Sequence, residues 1–155
     1  MRGDLAEAER LYQESLVIMK EIGDRGGEAH SLNNLGIIAQ TRGDLAETER
    51  FYRESLAIIR EIGPRQNEAI FLNNVGAIAQ MRGDLAEAER LHRESLTITR
   101  ESGDRLTEAD SLTNLGLIMN SKGQHDEERR MYTEAVQIWR EIGFPIEQWF
   151  IDNGY

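Results

Sequence analysis

Arg2-Gly3-Asp4-Leu5-Ala6-Glu7 returns as Arg42-Gly43-Asp44-Leu45-Ala46-Glu47 and as Arg82-Gly83-Asp84-Leu85-Ala86-Glu87, with a worn copy at Lys122-Gly123-Gln124-His125-Asp126-Glu127. The spacing is 40 residues each time, without insertion. Residues 1–40 and 41–80 are identical at 26 of 40 positions, so the likeness runs through the whole period and not the hexapeptide alone. A period of this length marks an array whose units bury their apolar faces on one another.

Each unit reads as two helices. In the second copy, Leu45, Thr48, Tyr52, Leu56, Ile59 and Ile62 share one helical face. Asp44 stands where an N-cap belongs, with Glu47 three residues on as in a capping box. Gly63 is expected to supply the flexible residue after the helix, and Pro64 forbids continuation. Ala69, Leu72, Val75, Gly76 and Ala79 then form the buried side of the next helix, which ends before the turn glycine Gly83. The expected helices run roughly 4–22, 26–41, 44–62, 66–81, 84–102, 106–121 and 124–142. Alternating β-branched segments are absent, so no strands are expected.

Composition narrows the classes. The 155 residues carry 28 acidic and 18 basic side chains, a formal charge of −10 spread evenly over the units. That balance argues against a nucleic-acid partner, which needs a basic stripe. No stretch approaches the ~20 apolar residues of a membrane span. There is no cysteine, which removes disulfides and thiolate sites and fits a reducing, cytoplasmic setting. His30, His92 and His125 occupy non-equivalent places without ligand spacing, so no metal and no cofactor is expected. Carboxylates recur once per unit as Glu14, Glu54, Glu94 and Glu134, a pattern of partners for Arg and not of a catalytic pair. No enzyme is expected. The Arg-Gly-Asp copies read as turn plus cap.

The residues Leu32, Leu35, Gly36, Ala39, Gly43, Thr48, Tyr52 and Ser55 resemble the tetratricopeptide-repeat signature. The set repeats as Leu72, Val75, Gly76, Ala79, Gly83, Ala88, His92 and Ser95, and as Leu112, Leu115, Gly116, Met119, Gly123, Glu128, Tyr132 and Ala135. The unit is longer than the family's usual ~34 residues, as in kinesin light chains, GoLoco-binding spindle-orientation adaptors and bacterial signalling proteins. His92 departs from the aromatic, Glu128 from the small residue, and Ser102 from Ile22, Ile62 and Ile142. The resemblance implies an all-α, right-handed superhelical solenoid of antiparallel helix pairs, with about 3.5 repeats, seven main helices and a short C-terminal segment. Residues 1–23 would form a half unit; 24–63, 64–103 and 104–143 full units; and 144–155 a cap or a truncated next unit. The half unit and the early stop fit a piece excised from a longer array, with a complete small protein of unusual ends as the other reading. The resemblance also puts Gly76 at a close helix contact.

In this family the first helix of each unit lines the concave side. The resemblance therefore places there a ladder of Asn34, Asn74 and Asn114, a second row of Asn33, Asn73 and Thr113, and a third of Gln40, Gln80 and Asn120. An amide offers both donor and acceptor to a peptide backbone; capping or bonding between units is the alternative use. Between the rows lie His30, Ile70 and Asp110, then Ile37, Ala77 and Leu117, which vary from unit to unit as partner-choosing positions do. The expected function is a scaffold that binds an extended peptide or helix of a protein partner. The alternative is self-assembly through the array ends, where Leu5, Tyr12, Leu16 and Met19, and Trp139, Trp149, Phe150 and Tyr155, could be sticky.

Overall fold

The computed structural model describes residues 2–155, with side chains from Asp4 onward. The chain forms α1 (Arg2–Ile22), α2 (Arg25–Arg42), α3 (Leu45–Ile62), a 3-10 turn (Arg65–Glu68), α4 (Ala69–Met81), α5 (Leu85–Ser102), α6 (Arg105–Ser121), α7 (His125–Ile142) and α8 (Gln148–Asp152). No strand occurs among the described residues. Packing is most extensive within the pairs α2/α3, α4/α5 and α6/α7, and α4 also touches α6 across the unit boundary. The result is a solenoid of helical hairpins.

The turns repeat because their chemistry does. Gly43 and Gly83 adopt left-handed backbone (φ 81° and 82°), which glycine enters without a Cβ penalty. Asp44 and Asp84 then return their N–H groups to Ala39 and Ala79, closing the helix end. Their carboxylates accept the N–H of Glu47 and Glu87 at 3.0 Å, capping the next helix. The copies at Arg42 and Arg82 are thus each a C-terminal turn joined to an N-cap, as the sequence predicts, whereas Asp4 of the first copy lies within α1 and forms no such turn. Asp24 and Asp104 cap α2 and α6 in the same way.

The second unit departs from this pattern. Pro64 replaces the capping Asp and offers no side-chain acceptor, so the first turn tightens into the 3-10 segment and α4 begins at Ala69 rather than near 66. Gly63, expected to be the flexible helix-ending residue, is extended (φ −117°, ψ 162°). The ring of a following proline excludes helical backbone from the residue before it.

Side-chain size sets the spacing within a unit. Gly36, Gly76 and Gly116 face Tyr52, His92 and Tyr132. A Cβ on Gly36 would lie 2.5 Å from the Tyr52 ring, and one on Gly76 2.8 Å from His92, closer than real contacts permit. The rings lie directly on helix backbone. Leu72, Leu112, Leu115 and Ile118 are fully buried. Ion pairs repeat on the face formed by α3, α5 and α7: Arg60 meets Glu94 at 2.9 Å, Arg53 meets Glu87 at 2.9 Å and Arg100 meets Glu134 at 2.5 Å. These arginines bridge neighbouring units, although each exposed pair contributes only ~0–1 kcal/mol.

Candidate functional site

A cavity of about 490 Å³ opens where α4 and α6 meet the C-terminal segment. Helix α4 contributes Ile70, Asn73, Asn74 and Ala77, and α6 contributes Thr107, Asp110, Thr113, Asn114 and Leu117. Tyr132 and Trp139 from α7, with Glu147, Trp149 and Phe150, complete the wall. The structure therefore brings together the α4 and α6 members of the first two amide rows and of the varying positions. Their α2 counterparts His30, Asn33, Asn34 and Ile37 lie outside this cavity; Asn33 Oδ1 accepts from the cavity residue Asn74 at 2.7 Å, and the His30 ring lies 5.7 Å from that of Phe71 on α4.

The three amide rows have different environments. Asn33, Asn34, Asn74, Thr113 and Asn114 are half-buried. Asn73 is only 8 % exposed, and both ends of its amide are engaged. Its Oδ1 lies 2.9 Å from His92 Nδ1, and its Nδ2 donates to Ser111 Oγ at 3.0 Å. Asn114, which stands to Asn73 as Asn74 stands to Asn33, has no hydrogen-bond partner among the described residues. In the third row, two members bond to the second helix of their own unit: Gln40 accepts from Tyr52 Oη at 3.0 Å, and Asn120 donates to Glu128 at 2.6 Å. Gln80, in the unit where His92 stands in place of the tyrosine, has no such bond.

His92 explains part of this difference. Its Nδ1–H donates to Asn73, and Nε2 is left buried with no partner. Burial pushes the imidazole down to about 4, so the ring is neutral at physiological pH. Asn73 is held inward, and Asn114 is left facing the cavity. Burial, then the charges of Glu128 and Tyr155, pushes the Tyr132 phenol up to about 12. Although much of Asp110 is exposed, desolvation around its carboxyl, then repulsion from Asp104, raises it above the usual range. A hydrogen bond from His125, helped by one from Asn120, holds Glu128 below it.

The C-terminal segment does not continue the repeat. Trp149 stands where Ala29, Ala69 and Ala109 are buried, yet it is 49 % exposed, whereas Phe150 is buried where Ile70 and Asp110 are exposed. The register has slipped by one residue, and aromatic packing accounts for it. The Phe150 ring meets Tyr132 at 5.3 Å and Trp139 at 5.2 Å, Tyr155 meets Tyr132 at 5.3 Å, and Arg140 donates to the Tyr155 carbonyl at 3.1 Å. Trp139 and Phe150, named above as sticky end residues, are buried in this cluster and face the protein's own interior. At the other end Leu5, Leu16 and Met19 are half-buried and Tyr12 is exposed. Leu11, Val17, Ile18 and Ile22 are exposed there too and were not singled out from the sequence. Glu147 and Tyr132 also went unrecognised as cavity residues. The density of aromatics after Phe144 was the available signal, but no repeat equivalent told where they would fold.

No group of three or more potential metal ligands occurs among the described residues, and no helix among them is long and apolar enough to cross a membrane. The ordered hairpins, turn glycines and ring-on-glycine contacts define a helical-repeat protein. A tetratricopeptide-repeat profile matches residues 1–61 and 67–141, and the chain belongs to that family. Its fold is similar to the crystal structure of BtubC (BKLC) from P. vanneervenii, with a TM-score of 0.79 over 94 % of this chain at 22 % identity. The match covers 61 % of that protein's length, so the chain spans about three-fifths of it. No curated protein matches the sequence. Tetratricopeptide repeats generally mediate protein–protein interaction or assembly and are typically non-enzymatic scaffolds.

Proposed function

We propose that this chain is a non-enzymatic scaffold that holds an extended segment or helix of a protein partner along the first helices of its units, α2, α4 and α6. The observation that carries the reading is the ~490 Å³ cavity, whose α4 and α6 lining includes positions that change between units (Ile70, Ala77, Asp110 and Leu117) beside the partnerless Asn114 amide. Asn114 would pair with partner backbone, and Ile70, Asp110, Ala77 and Leu117 would choose side chains. Asn73 and Asn120 serve the scaffold itself. Binding of an array of extended peptides to the wild type and to Asn114→Ala tests this. Loss of about five- to tenfold in affinity, the worth of one hydrogen bond of about 1 to 1.5 kcal/mol, supports it. Unchanged affinity in a folded variant counts against it.

The exposed face of α1 favours a second reading, self-assembly. Leu11, Tyr12 and Ile18 are open to solvent, whereas their counterparts Phe51, Tyr52 and Ile58 are buried in the next unit. A second copy could cover them. Light scattering at about ten micromolar protein decides the matter; a clean monomer there leaves at most a weak association.

A further inference from the structure

We propose that the open side of α1 is a docking site for a helix of a partner protein, one that carries the pattern of small and apolar residues found on this chain's own first helices. The inference is independent of the peptide groove and comes from setting the units against one another. On one side α1 is seated as its counterparts are. Ser15 meets Ser31 on α2 at 3.0 Å, as Ser95 meets Ser111 on α6, and Lys20 lies 3.8 Å from Glu28 where Arg100 lies 3.2 Å from Glu108. The other side is bare. Leu11 and Ile18 are exposed where Leu91 and Ile98 are buried, and Tyr12 is 36 % exposed where Tyr52 is 3 % and Tyr132 is 2 %.

The other units show what covers that side. Tyr52 and Tyr132 lie on Gly36 and Gly116, in the first helices of their own units. Ser55 and Ser95 donate to the carbonyls of Ala29 and Ala69, also on first helices, at 2.8 and 2.9 Å. Tyr12 and Ser15 hold the same places on α1. Among the described residues no glycine packs under Tyr12 as Gly36 packs under Tyr52, and no backbone carbonyl accepts from Ser15. A ring without its glycine and a hydroxyl without its carbonyl mark the same absent neighbour.

The pattern of that neighbour is fixed. Ala29, Leu32, Leu35 and Gly36 are buried on α2 and recur at the same spacing on α4 and α6, with valine for the second leucine on α4. The occupant is thus an amphipathic helix reading Ala-x-x-Leu-x-x-Leu-Gly, laid along α1 as helices are laid in apolar grooves. Its glycine admits the tyrosine ring, and its alanine carbonyl receives the serine hydroxyl. A second copy of this chain fits less well. Gly36, Gly76 and Gly116 each already hold a ring, and neither α1 from Asp4 to Ile22 nor the five-residue α8 contains a glycine.

A labelled peptide with the sequence of residues 104–121, titrated with the full chain, provides the test. It carries its own capping Asp104 and the glycine of α6. A second peptide differs only by Gly116→Leu and should bind about tenfold or more weaker, as overpacking against Tyr12 predicts. Leucine is the better helix former, so weaker binding reports lost fit and not lost helix. Tyr12→Ala in the chain should weaken the glycine peptide by about tenfold, the effect of removing a central aromatic contact, with circular dichroism unchanged. Backbone NMR should place the contact at Leu11, Tyr12, Ser15 and Ile18. Equal binding of the two peptides, or none at about half a millimolar, overturns the proposal. So do shifts gathered at Asn74, Asp110 and Asn114, which put the peptide in the groove. Shifts at α1 that follow the chain's own concentration without peptide make a second copy the occupant and overturn it too.

Discussion

Acidification should unload the fold through His92. The imidazole is fully buried, donates from Nδ1 to Asn73, and titrates at about 4 in the folded state. In the unfolded chain a histidine titrates near 6.5. Between those values the unfolded state binds the extra proton, so the stabilisation is complete above about pH 6.5 and is lost as pH falls toward 4. Linkage puts the loss at about 2 kcal/mol by pH 5 and about 3 kcal/mol by pH 4. Glu49 and Glu89, which their Arg and Lys partners hold below the ordinary carboxylate range against the opposing effect of burial, lose their own contribution as the pH falls further. The comparison with His92→Phe isolates the one ring. Phenylalanine keeps an aromatic ring against Gly76, and Asn73 retains Ser111. Urea unfolding of both proteins at several pH values gives the two slopes, and the difference between them is the His92 contribution. Identical slopes would refute the claim that this histidine is buried neutral.

Other expectations follow from the same packing. Gly36→Ala would drive a methyl group into the Tyr52 ring and should cost about 1–3 kcal/mol, read as a lowered urea midpoint. Leu112→Ala, at a fully buried position, should cost about 2–5 kcal/mol by the same measurement. Pro64→Asp would restore the side-chain acceptor that Asp24 and Asp104 provide. A cap is worth about 1 kcal/mol, so the variant should melt higher and gain helical signal over the 3-10 segment, less what the lost proline rigidity removes.

Local chemistry made most of the fold legible. A glycine followed by a capping aspartate carries its turn between helices at Gly23, Gly43, Gly83 and Gly103, and the helix faces repeat with the residues that form them. What escaped depended on neighbours in space. Gly63 has the same identity as Gly23 and Gly103, but Pro64 changes the backbone it can adopt. Asn33 and Asn73 are likewise the same residue at matched positions. One accepts from the amide across the unit boundary, and the other is drawn inward because the ring beside it is His92 and not tyrosine. The C-terminal segment has no repeat to read against. Its register is set by Phe150 packing between Tyr132 and Trp139, and so the cavity wall could not be foreseen from periodicity.

The groove itself is tested most directly by backbone NMR of the full chain titrated with binding peptides. The account predicts shift changes gathered at Asn74, Asp110, Asn114 and Leu117, with α3 and α5 undisturbed on the face that carries the arginine–glutamate pairs. Changes centred on that face, or on the exposed side of α1, would contradict it.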